Sequence, residues 1–105
     1  MQLQPGELYQ VQSTAIDELE RKYGSFTFVV RVAEVNHKQD KVRFTVSSSG
    51  NLNATPDIRR IVERHTSGQT IDDTTGTPLS VDPMFHTESR FIYCFDKGIV
   101  EAYTQ

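Results

Sequence analysis

The stretch that decides the fold is residues 25–46, SFTFVVRVAEVNHKQDKVRFTV. Aromatic and β-branched residues dominate it, as a pleated and covered surface favours. Phe26, Phe28, Val30 and Val32 alternate on one face, while Val29, Ala33 and Val35 occupy the other. Apolar residues on both faces predict a central strand, or one bent so that its two halves face different layers. The polar run His37-Lys38-Gln39-Asp40 is a turn, after which Val42, Phe44 and Val46 alternate with Lys41, Arg43 and Thr45. That period of two predicts a hairpin whose second strand has one wet face.

Working back toward the N-terminus, Pro5-Gly6 opens a short strand over 7–12 with Tyr9 and Val11 on one side. The period then changes. Thr14 is a capping residue, acids at 17, 18 and 20 precede bases at 21 and 22, and Gly24 follows, so the charges complement a helix dipole over about 15–23. Ile16, Leu19 and Tyr23 form its apolar stripe.

Beyond the hairpin, residues 47–53 form a polar loop that delivers the chain to Thr55-Pro56-Asp57. A capping hydroxyl, a proline at the first helical position and an early acid start a second helix there. Ile58, Ile61, Val62 and His65 make its stripe, and Gly68 closes it. Residues 69–89 have no sustained period and hold only a short extended piece at 79–81. The apolar run 90–95 and residues 99–103 are read as a second hairpin around Asp96-Lys97-Gly98. The order is therefore β-α-β-β-α-β-β, an α+β fold: an antiparallel curved sheet, or partly open barrel, of about five strands with two short helices. Its first six elements also match the split βαβ order of a ferredoxin-like domain.

A chain of 105 residues and 11.9 kDa fits a single domain over 1–105. With 36% hydrophobic residues and a net charge of −3, it can build a core, which excludes disorder of the whole chain. No apolar run approaches the roughly 20 residues that cross a bilayer, and no basic-then-apolar leader opens the sequence, so a cytoplasmic protein is expected. Cys94 is the one cysteine, which excludes an internal disulfide and suits a reducing compartment.

Chemistry-bearing residues are sparse. His37, His65, His86 and Cys94 lack the CxxC or HxxxH spacing of a metal site. Cys94 is placed inside an apolar strand, a poor setting for a reactive thiolate with His86 as base. Asp72-Asp73 reads as a solvated pair, and the 47–51 run lacks the lysine of a phosphate loop. No enzyme activity, metal or cofactor is expected.

Two binding readings remain. Residues 1–20 carry four acids and no base, 21–64 carry nine bases against four acids, and 65–105 carry six acids and two bases. Arg59, Arg60 and Arg64 are placed on the exposed side of the second helix, and Lys41 and Arg43 extend that basic middle into an anion or nucleic-acid surface. A pI near 5.5 weighs against this alternative. The leading expectation is a non-enzymatic accessory or inhibitory protein that binds a protein partner, or its own copy as a homodimer, through the 79–86 loop and an exposed strand edge. Leu79, Met84 and Phe85 would be its anchors, because apolar groups this large in a polar stretch need cover.

The double variant Met84→Asp/Phe85→Ser is expected to abolish association while leaving the fold intact. Light scattering after size exclusion checks this, and an unchanged complex mass would remove the loop from the account.

Overall fold

The computed structural model describes residues 2–48, 55–67 and 87–104. Its elements run β1 (Leu8–Gln12), a 3-10 turn (Ser13–Ala15), α1 (Asp17–Tyr23), β2 (Thr27–Asn36), β3 (Lys41–Val46), α2 (Pro56–Ser67), α3 (Glu88–Asp96) and β4 (Val100–Ala102). The strands form one open antiparallel sheet in the order β3-β2-β1-β4. The fold is α+β, but with four strands and three helices among the described residues. The split βαβ order is not formed either: β1 and β2 are direct antiparallel neighbours, where a split unit keeps its two strands parallel with another strand between them.

The hairpin forms as its alternation predicts; Val29 is buried on the face opposite Phe28 and Val30, and one irregularity returns Val35 to the inward face. Val32 lies opposite Phe44, yet Glu34 lies opposite Arg43, so β2 carries one extra residue as a bulge. Before the bulge Phe28, Val30 and Val32 face inward; beyond it Val35 takes over, opposite Val42. Without this shift, the strict period of two would turn Val35 away from the core.

α1 begins later than its stripe suggests. Ser13–Ala15 make a 3-10 turn, Ile16 is extended (φ −128°, ψ 105°) and fully buried, and only then does the helix start. Ser13, not Thr14, is the fastening residue: its hydroxyl donates to the Gly24 carbonyl (3.0 Å) and accepts from the Phe26 N–H (2.9 Å). These bonds tie the entry of the β1-α1-β2 connection to its exit. α2 begins as read, with the Thr55 hydroxyl accepting from the Ile58 N–H at 3.2 Å.

The largest correction concerns residues 90–95, expected as a strand and found in helix α3. The Thr87 hydroxyl accepts from the Arg90 N–H (3.2 Å), and Glu88 sits in the first turn, where an acid favours the dipole. Phe91, Cys94 and Phe95 recur at i, i+3 and i+4 on the inward side, while Tyr93 is exposed. The expected second hairpin is therefore a helix, a turn with Gly98 at φ +80°, and a short strand that pairs with β1. Phe91 joins the layers: its ring centroid lies 4.5 Å from that of Phe44 and 5.2 Å, edge-on, from that of Tyr9. All three helices contribute to one core cluster on one side of the sheet.

Phe91→Ala is expected to cost about 3–5 kcal/mol, the usual penalty for emptying a buried aromatic site. Tyr93→Ala should stay within roughly 1 kcal/mol, because surface positions contribute little. Urea unfolding of both variants checks the helical phase, since a strand with Phe91 facing inward would bury Tyr93 as well.

Candidate functional site

The two outer strands end the sheet very differently. On β3, the ladder bond from the Ser47 N–H to the Val29 carbonyl (2.9 Å) fixes the parity of the pairing with β2. Val46 and Phe44, in the alternate pairs, then aim their main-chain groups outward. α2 packs against this edge and meets those carbonyls. The Thr66 hydroxyl donates to Phe44 (3.2 Å), and Arg59 Nη1 donates to Val46 (3.1 Å). At the far end Lys41 forms a lone antiparallel bridge with Thr87. The β3 edge is covered, as soluble sheets require of an edge that would otherwise template pairing.

On β4, the Gln12 N–H donates to Ile99 and the Tyr103 N–H donates to Leu8, both at 3.1 Å. Residues 99, 101 and 103 thus bond toward β1, and Val100 and Ala102 aim their N–H and carbonyl groups away from the sheet. Among the described residues no strand lies beyond β4. Beside it, on the sheet face opposite the helices, is a shallow hollow of about 130 Å³ lined by Gln10, Gln12, Thr27, Gly98, Ile99 and Glu101. The Gln10 amide N–H donates to the Thr27 hydroxyl (3.0 Å), and the Gln12 amide N–H donates to the Gly98 carbonyl (3.4 Å). Glu101 is exposed opposite Gln10.

Four of the basic residues singled out in the sequence, Arg43, Arg59, Arg60 and Arg64, are engaged within the chain. Only Arg60 of the helix trio lies fully exposed, paired with Asp57. Arg59 is tucked over the β3 edge, and Arg64, its side chain 14% exposed, pairs with Glu18 on α1. His65 Nε2 approaches the same carboxylate at 3.2 Å. Arg43 pairs with Glu34 at 2.7 Å across the bulge, and Lys41 is exposed at the end of β3. Burial pushes the Glu18 carboxyl up, but hydrogen bonds from Arg64 and His65 outweigh it and hold the group below its usual range. Hydrogen bonds from Lys22, Tyr23 and Arg60 hold Asp57 well below the usual carboxylate range too. These clusters join α1 to α2. Leu79, Met84 and Phe85 lie outside the described residues, as do His86 and the extended piece at 79–81.

One polar cluster had no sequence signal. Glu88 is buried; its carboxylate accepts from the Leu3 N–H (2.9 Å) and meets His37 Nδ1 at 2.7 Å. Asp40 accepts from the Ser89 N–H (2.8 Å) and from its hydroxyl. The cluster staples the β2-β3 turn and the N-terminal segment to α3, and among the described residues no hydroxyl or thiol is hydrogen-bonded to His37. Cys94 is buried on α3. The described residues contain no group of three potential metal ligands and no helix long and apolar enough to cross a membrane. Comparison with known proteins finds no match among family models, curated proteins or solved structures.

Glu18 has its carboxyl lowered from an ordinary value of 4.5, so its contribution to stability is full above that value. It is lost as pH falls through the lower folded value. Urea midpoints measured from pH 7 downward should fall more steeply below about 4.5 in the wild type than in Glu18→Gln, which lacks that titration. Parallel curves would show that the α1-α2 cluster adds nothing to acid stability.

Proposed function

We propose that this chain is a non-enzymatic interaction module that holds a protein partner by accepting an added strand on the outer edge of β4. The observation that carries the reading is the contrast between the edges: β3 is closed by Arg59, Thr66 and the Thr87 bridge, while Val100 and Ala102 aim main-chain donors and acceptors outward. Strand addition draws affinity from such main-chain groups and specificity from alternate side chains. A three-residue edge offers few bonds, each contributing about 0.5–1.5 kcal/mol net, so the partner needs a side-chain anchor as well. Met84 and Phe85 remain in the proposal as a second anchor on grounds of sequence alone. The lone cysteine fits a reducing compartment, and the proposed setting is the cytoplasm.

The nucleic-acid alternative draws no comparable support. Arg43, Arg60 and Arg64 are each paired with a carboxylate of the same chain, so binding phosphates would require replacing partners already in place.

Selection from a random linear peptide library supplies a test. Ala102→Pro removes an outward N–H from an exposed edge position, where proline is tolerated. Selected peptides are expected to lose about two- to tenfold in affinity for this variant, the effect of one lost hydrogen bond, while its urea midpoint changes little. Unchanged binding would move the site off β4.

A further inference from the structure

The hollow beside β4 specifies what kind of strand the edge accepts, an inference that rests on the proposed docking there. Its lining is polar but holds a single charge. The Gln10 and Gln12 amide groups each donate one N–H, to Thr27 and Gly98, and Glu101 is the one charged group of the lining. The nearest bases on α3 and the turn after it are held elsewhere: Arg90 and Lys97 both lie over the Tyr93 ring, at 4.9 and 5.4 Å from its centroid. The lining of the hollow therefore carries one negative charge, that of Glu101.

Register gives this chemistry an address. Val100 and Ala102 would form the hydrogen-bonded pairs with an incoming antiparallel strand, so the partner residue opposite Glu101 falls in the closer, non-hydrogen-bonded pair. Its side chain projects from the same face as Glu101 and the hollow. A long cationic side chain there meets the Glu101 carboxylate. A second copy of β4 fits badly: full antiparallel overlap of Val100–Ala102 with itself sets Glu101 opposite Glu101, and like charges directly opposite are destabilising.

We propose that the β4 edge receives an extended segment of another polypeptide carrying lysine or arginine opposite Glu101, and not a second copy of this chain.

The experiment uses the full chain, labelled with nitrogen-15, titrated with three seven-residue peptides of alternating threonine and valine whose central residue is lysine, glutamine or glutamate. The expected result is movement of the Val100 and Ala102 amide resonances, with the lysine peptide binding at least tenfold more tightly than the glutamate peptide. Glu101→Lys should reverse that order while leaving the fold unchanged. Three results would overturn the proposal. Equal affinities for the three peptides would remove the charge requirement and leave edge docking standing. Absence of any shift at Val100 and Ala102 would sink edge docking itself. Concentration-dependent dimerisation of the unliganded chain, with shifts centred on β4, would make a second copy the occupant.

Discussion

The extra residue in β2 sets the geometry on which the rest depends. A sheet that is covered on one face must keep a single inward set along every strand, and the alternation of side chains allows no exception without a break in register. β3 meets this demand with Val42, Phe44 and Val46, whereas β2 meets it with Phe28, Val30 and Val32 and then, across the bulge, with Val35. The same shift sets Glu34 opposite Arg43, where they pair. Beyond it the hairpin tip reaches α3, where Glu88 takes His37 and Asp40 takes Ser89. One added residue thus keeps both strands apolar toward the core and brings the turn to the helix that closes it.

Polar groups follow a similar economy. The middle of the chain is basic, yet five of its nine bases are used within the fold: Lys22 and Arg60 on Asp57, Arg64 on Glu18, Arg43 on Glu34, Arg59 on a strand-edge carbonyl. Exposed pairs of this kind add little stability each. Their effect is on specificity, because they orient α1 against α2 and α2 against β3. The cost of leaving an outward carbonyl unsatisfied is avoided on β3, where the helix lies alongside, whereas among the described residues nothing lies along β4.

Much of this was legible in the sequence, and the parts that were not share a cause. The hairpin over 27–46 and the start of α2 at Pro56 follow from local patterns: alternation, a polar turn, and a capping threonine before proline. Ile16 and Ser13 illustrate the first limit, since a buried extended residue between two helical turns reflects the demands of the core and not a local preference. Glu88 illustrates the second. A single acid reads as surface, and only the arrival of Leu3 and His37, from far away in the chain, gives it a buried role. Residues 91–95 illustrate the third: five consecutive apolar or nearly apolar residues satisfy a covered strand and a covered helix equally, and periodicity cannot decide between them. Thr87 and Glu88 carried the deciding signal, a cap and an early acid, at the end of a stretch without recognisable period.

That last ambiguity bears directly on the candidate site. Had residues 90–95 formed a strand in a hairpin with 99–103, β4 would have had a neighbour on each side, and its outward groups would have been consumed within the chain. As a helix, α3 instead places Phe91 between Tyr9 and Phe44 in the core, and the chain returns through Gly98 to pair with β1 alone. Among the described residues the sheet ends at β4, with no fifth strand beside it. The exposed edge and the conversion of 90–95 to helix are the same structural fact: burying Phe91 beneath the sheet leaves Val100 and Ala102 at its border. An acidic residue between them then biases what can complete the sheet, because a strand that matches the main chain but brings a like charge to Glu101 gains hydrogen bonds and loses them again to repulsion.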